Sequence, residues 1–213
     1  MLNGKAKKKK AILEAAINVF AEYGYQNAKM AKIAEMAGVG AGSLYLYYKN
    51  KANILAQIFD HLWEELAQKQ ETLAARTDLS AVEKLDSMID LVFDMFASNA
   101  SLALVYVIEK HLCHDTEACF FSSKKHHEHP SHRKFMDICE AHIIEAQQDG
   151  MFNPHINPRS FRHFVYGGID HLILEWAQSP EDFPIDNIRQ DVKILVKKGI
   201  LISDRIVAKP PLT

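Results

Sequence analysis

Apolar positions recur with a helical period along almost the whole chain, and no stretch alternates in the manner of a strand. Ile12, Ala15, Ala16, Val19, Phe20 and Tyr23 fall at i, i+3, i+4, i+7, i+8 and i+11, one stripe of a helix that stops at Gly24. A short helix over about 29–36 turns Met30, Ile33, Ala34 and Ala37 inward, and Gly38-Val39-Gly40 breaks it. A third helix, from about Ala41 to Tyr48, is followed by Asn50, which is placed to cap a long helix running from Lys51 to about Leu73.

The rest carries legible punctuation. Ser80 and Glu83 form the capping box of a helix that bears Leu85, Met88, Ile89, Val92, Phe93 and Phe96 and runs to about Ser98. An apolar segment from Leu102 to Ile108 precedes a polar, histidine-rich stretch that extends to Arg133. Phe135 to Gln148 reads as a helix closed by Gly150. Asn157-Pro158 supplies the N-cap and first position of another, which reaches about Gln178. A last helix spans about Ile185 to Ser203, and the proline-containing tail cannot continue it. The expectation is an all-α fold of about nine helices, three short ones in front and longer ones behind, without internal repeat.

Composition narrows the class. A chain of 213 residues with 48% apolar and 24% charged residues can bury a sizeable core and is an ordinary soluble globular protein. No apolar run approaches the roughly 18 to 20 residues that span a bilayer, so a cytoplasmic protein without signal or membrane anchor is expected. Three cysteines, Cys113, Cys119 and Cys139, cannot all pair with one another, which argues against a secreted disulfide scaffold. Charge is unevenly distributed. Residues 1–60 hold nine lysines against four acidic residues, a balance of +5, while the remainder holds 16 basic against 23 acidic residues, a balance of −7. A basic head on an acidic body points to a polyanion at one end only.

The head also contains a helix-turn-helix pattern, two short helices joined by a tight glycine turn. Val39, Leu44 and Tyr48 are spaced to pack against Ile33, Ala34 and Phe20. That leaves Gly40, Ala41, Gly42, Ser43, Tyr45, Leu46 and Tyr47 for the opposite face or the helix tip. Small residues there let the backbone approach a groove, and Ser43, the tyrosine hydroxyls and Lys51 can donate to phosphates or base edges. A nucleotide-binding loop would need a preceding strand and a complete glycine fingerprint, and neither is present. Lys7 to Lys10 form a basic arm ahead of the first helix that can follow phosphates, or is simply a solvated tail.

Over the 47 residues from Lys9 to Leu55 the sequence resembles the N-terminal domain of TetR-type transcriptional regulators. Ala15-Ala16, Phe20, Gly24, Ile33-Ala34, Ala37-Gly38-Val39, Leu44-Tyr45, Tyr48 and Lys51 all stand in register. The resemblance implies a helix-turn-helix DNA-binding domain over residues 1–50 and a ligand-binding and dimerisation domain over 51–213. It further implies a homodimer, a palindromic double-stranded DNA operator and release of that operator by a ligand. Carried over by position, the operator contacts are Lys29, Ala31, Ala41, Gly42, Ser43, Tyr45, Tyr47 and Lys51. The family's usual Ser or Thr at the start of the second helix is replaced by Ala28-Lys29, so Asn27 is the expected substitute cap.

In the body, residues 164–200 and the stretch from Tyr45 to Leu55 resemble the branch of these repressors that controls fatty-acid degradation and responds to long-chain acyl-CoA. This implies an apolar tunnel, for which Phe93, Phe96, Leu104, Ile108, Phe135 and Phe164 are candidate lining residues, each also readable as plain core. Lys110, Lys124, Lys125, Arg133 and Lys134 are the candidate cations for the ligand's phosphates. The last two helices are expected to form the dimer through Phe161, Val165, Leu172, Trp176, Val192 and Leu195. The glycine pair Gly167-Gly168 is expected to mark a close contact there, or a local bend. Residues 111–132 hold six of the 11 histidines, but no pair follows a Cys-x-x-Cys spacing, and a solvated loop without metal is the reading. No nucleophile elbow or cofactor fingerprint is found, so neither an enzyme nor a cofactor is expected. A helical lipid carrier or enzyme with an incidental basic head is the alternative.

Overall fold

The structure, a computed structural model, describes residues 4–112 and 130–200. These residues form nine helices: α1 (Gly4–Asn27), α2 (Met30–Met36), α3 (Ala41–Tyr47), α4 (Lys51–Ala74), α5 (Ala81–Ala97), α6 (Ala100–Leu112), α7 (Pro130–Gln148), α8 (Pro158–Gln178) and α9 (Ile185–Ile200).

Local chemistry sets most boundaries. Gly24 breaks α1 at φ 71°, a left-handed conformation that costs glycine nothing. Asn50 accepts from the Asn53 N–H and opens α4, Ser80 and Glu83 complete the capping box of α5, and Asn157 accepts from the Ser160 N–H to open α8. Asn99 does the same for α6, taking the Leu102 N–H at 2.9 Å.

Three expectations are corrected. The lysine-rich stretch is not an arm ahead of the first helix but its first two turns, because lysine is a good helix former and Lys9 docks on Gln57 of α4 at 3.1 Å. Asn27 does not cap α2. Its side chain donates backwards to the Tyr23 carbonyl, and α2 starts after Lys29 with no side-chain cap. Helix α7 begins at Pro130, earlier than the apolar period shows, since proline suits a first helical position and the following turn is polar. The last helix is described only to Ile200, and the tail lies outside the described residues.

Helix α4 runs from the head into the body and packs on α7, α5 and α1, while α6 bridges α1 to α8. Trp63 of α4 is fully buried where these layers meet. Helix α9 lies antiparallel along α5, held by Lys197 on Asp86 at 2.6 Å, Lys193 on Asp90 at 2.6 Å and Arg189 on Asp94 at 2.7 Å. Spacing of four on both helices puts all six charges in one seam.

Candidate nucleic-acid interface and ligand cavity

Helices α2 and α3 form the helix-turn-helix. The Gly38 N–H donates to the Glu35 carbonyl at 3.1 Å and the Val39 N–H to the Ala34 carbonyl at 3.0 Å, closing α2 with Gly38 at φ 65°. Leu44 and Tyr48 are buried in the same core as Phe20, Ile33 and Ala34, with Val39 half-buried beside them. Burial pushes the Tyr48 phenol up to about 12. That inward packing turns the other face of α3 to solvent.

Ala41, Gly42, Ser43 and Tyr45 are exposed, Tyr47 is half-buried, and Lys29 and Ala31 are exposed at the start of α2. Leu46, which the positional carry-over leaves out, is 85% exposed on the same short helix. The spacing from Leu44 already leaves Leu46 for the outer face, and the structure places it there.

Lys51, expected on operator phosphate, also has partners inside the chain. Its ammonium donates to the Tyr25 carbonyl at 2.7 Å and the Gln26 carbonyl at 2.7 Å, and it stands 4.7 Å from the centre of the Tyr25 ring. In the lysine run, Lys9 is half-buried and tied to Gln57, whereas Lys5, Lys7, Lys8 and Lys10 are exposed, Lys10 lying 3.7 Å from Glu14.

In the body, an apolar cavity of about 50 Å³ lies among α5, α7 and α8. Leu85, Met88, Ile89 and Val92 form one wall, Phe135, Met136, Cys139 and Ile143 a second, and Phe161, Val165, Tyr166 and Ile169 a third. One cation, Arg162, belongs to the lining. Burial pushes the Cys139 thiol well above its ordinary range, so it behaves as a small apolar group.

Only Phe135 of the expected lining residues stands in this cavity. Phe93 and Phe96 are packed in the core, Phe96 stacked on Tyr106 at 5.3 Å, and Leu104 and Ile108 do not reach the cavity. Phe164 is 82% exposed, because α8 is apolar on two sides and Phe164 is on the outer one.

An aromatic cluster joins the cavity to α4. The Trp63 ring lies 4.3 Å from His132, 5.9 Å from Phe135, 5.9 Å from Tyr106 and 6.2 Å from Tyr166, and the Tyr106 and Tyr166 hydroxyls are 2.8 Å apart. Burial holds both phenols neutral well beyond the ordinary range.

Beside the cavity, sharing Met136 and Arg162 with it, lies a polar cleft of about 310 Å³ between α7 and α8. Arg133, Arg159, Arg162, His132 and His163 line it against Asp137 and Glu140. Arg133 was expected at such a site. Lys134 is not in the cleft, since it pairs with Glu71 across the α4–α7 contact, and Lys124 and Lys125, with the Lys110 side chain, lie outside the described residues. Residues 113–129 of the histidine-rich stretch lie outside them too. Arg159 and Arg162 escaped the sequence reading, although their i, i+3 spacing at the start of α8 puts both on one face.

The outer face of α8 and α9 carries an apolar groove of about 490 Å³, lined by Phe161, Phe164, Val165, Gly168, Ile169, Leu172, Val192, Leu195 and Val196. Trp176, expected here, is buried in the core instead, and Val192 is buried at the groove floor. Among the described residues, neither Gly167 nor Gly168 meets a neighbour that would exclude a side chain.

The sequence matches the bacterial regulatory proteins of the tetR family over residues 12–58 and the YsiA-like protein C-terminal region over residues 59–199. This chain belongs to the TetR family. The TetR-family protein is 28% identical over 189 residues to the fatty acid metabolism regulator protein of Bacillus subtilis (strain 168), covering 89% of this chain and 93% of that one. The crystal structure of the transcriptional regulator FadR from Bacillus subtilis in complex with stearoyl-CoA aligns with a TM-score of 0.76 at 26% identity, over 89% of this chain and 98% of that one. The fatty acid degradation regulator FadR from Bacillus halodurans shares the fold, with a TM-score of 0.76 at 24% identity over 89% of this chain and 98% of that one. These relatives are regulators and not enzymes, and the TetR-family protein is a ligand-responsive, DNA-binding transcriptional regulator. Among its described residues no single helix is long and apolar enough to cross a membrane.

Proposed function

We propose that this regulator is a cytoplasmic homodimeric repressor that holds a palindromic operator and lets it go when a long-chain acyl-CoA enters the body. The observation that carries the ligand reading is the junction of two unlike spaces: an apolar cavity that shares Arg162 and Met136 with a cleft bearing three arginines. An acyl chain suits the first and the phosphates of coenzyme A suit the second. The B. subtilis relative crystallised with stearoyl-CoA supports the same assignment.

At about 50 Å³ the cavity is far below the roughly 300–1,000 Å³ of a working ligand pocket. A fatty chain therefore has to spread α5, α7 and α8. Phe135 and Tyr166 line the cavity and touch Trp63, so the spreading reaches α4. Lys51 fastens the start of α4 to the end of α1, so α4 carries residues 1–50, the DNA-binding unit, when it moves. Residues 51–213 serve as the ligand-binding and dimerisation unit.

For the dimer, the groove on α8 and α9 with Phe164 and Leu195 exposed supports a four-helix contact between two copies. A two-fold axis there presents two α3 helices to successive major grooves. Ser43, Tyr45, Tyr47 and Leu46 face the bases, with Ala41 and Gly42 allowing close approach and Lys29 and Ala31 near the backbone.

Isothermal titration of the purified protein with stearoyl-CoA, free coenzyme A and stearate tests the ligand. The expected result is binding of stearoyl-CoA at least tenfold tighter than either half. Equal affinity for stearate and stearoyl-CoA removes the role of the cleft.

A further inference from the structure

We infer that Arg162 is the specificity-determining residue of the ligand site, and that its Nε–H reads the thioester carbonyl of the bound acyl-CoA. The inference rests on the acyl-CoA reading above. Arg162 projects from the second turn of α8 and lines both the apolar cavity and the polar cleft. Its side chain is only 10% exposed, and its terminal nitrogens are occupied: one lies 3.5 Å from a Glu140 carboxylate oxygen and the other 3.1 Å from Nε2 of His163. The Nε–H differs. It is buried and has no acceptor among the described residues.

A buried donor of a charged group without an acceptor costs free energy that an arriving oxygen recovers. The lining of the cavity around it consists of aliphatic, aromatic and sulfur-bearing side chains, apart from the Tyr166 hydroxyl, which is engaged with Tyr106. The missing acceptor must therefore come from the occupant. At the threshold between an apolar space and a cationic one, an acyl-CoA presents a single polar atom on its apolar side, the carbonyl oxygen of the thioester. Glu140 keeps the guanidinium in place while the Nε–H is offered inward, which makes the donor preorganised. A free fatty acid would put a full carboxylate beside Glu140, a like-charge contact that disfavours it.

The test is a cycle between side chain and ligand. Stearoyl-CoA and its S-octadecyl thioether analogue, which lacks only the carbonyl oxygen, are titrated calorimetrically into the wild-type protein and into Arg162→Met. A second variant, Arg162→Met with Glu140→Gln, avoids stranding a carboxylate, and thermal unfolding confirms that both variants fold. The wild type is expected to prefer the thioester about tenfold or more, a margin that shrinks to about unity in either variant while thioether affinity persists. Equal wild-type affinity for the two ligands overturns the inference and leaves the acyl-CoA reading standing. A parallel loss of both ligands in the variants overturns it as well, since Arg162 would then serve the phosphates. Failure of both ligands to bind the wild type removes the acyl-CoA reading itself.

Discussion

The ammonium of Lys51, in the first turn of α4, donates to the backbone carbonyl of Tyr25, just past the Gly24 break in α1, at 2.7 Å. The helix that runs into the ligand-binding body is thereby pinned to the segment leading into the helix-turn-helix.

Lys51→Met keeps the stem and deletes the charged donor. Two short charge-assisted hydrogen bonds, to Tyr25 and Gln26, disappear. The loss is expected to cost about 2 kcal/mol and to lower Tm by about 4–8 °C. Operator affinity should fall without a change in its salt slope, because no phosphate contact is removed. A slope smaller by about one unit in a salt titration would return Lys51 to the phosphate backbone.

Leu46 and Tyr45 separate base reading from general attraction. Leu46→Ala and Tyr45→Ala remove exposed side chains from α3, so Tm should change by less than about 2 °C. Each is expected to weaken operator binding about tenfold while binding to unrelated DNA stays constant. A uniform loss on both DNAs in anisotropy titrations would mean that the two side chains only position the protein.

Val92→Phe fills the cavity from the α5 side. Overpacking is expected to cost about 1–3 kcal/mol. The variant should bind operator as tightly as wild type and fail to release it with stearoyl-CoA. Normal release in a competition titration would show that the chain is held elsewhere.

Leu195→Glu places a charge on the exposed groove of α8 and α9, where Leu195 is 69% exposed in the single chain. With nothing lost inside the protomer, helicity should be unchanged. Sedimentation at micromolar concentration is expected to show a monomer, with operator affinity down at least a hundredfold. A dimer of unchanged stability would move the interface off this face.

What could be read from the sequence divides by range. The capping box of Ser80 and Glu83, the Asn50 and Asn157 caps and the break at Gly24 are local, and each was legible from residue type and spacing. Leu44 and Tyr48 were equally legible, because their spacing from the turn allows one inward face. Phe164 was not. Helix α8 is apolar on two sides, and periodicity cannot say that Phe161, Val165 and Ile169 line both the cavity and the outer groove while Phe164 belongs to the groove alone. Lys51 shows the same limit for charge: its carbonyl partners come from a segment more than twenty residues earlier, which spacing does not announce. Arg162 and Glu140 meet only once α7 and α8 are packed, so nothing near either residue announced the pair.

The central claim is that occupation of the body by an acyl-CoA frees the operator. Fluorescence anisotropy of labelled DNA from the region upstream of the protein's own coding sequence, titrated with protein and then with stearoyl-CoA at constant salt, measures it directly. The expected result is a saturable complex that dissociates with stearoyl-CoA and persists with free coenzyme A. A complex equally stable with and without stearoyl-CoA would contradict it.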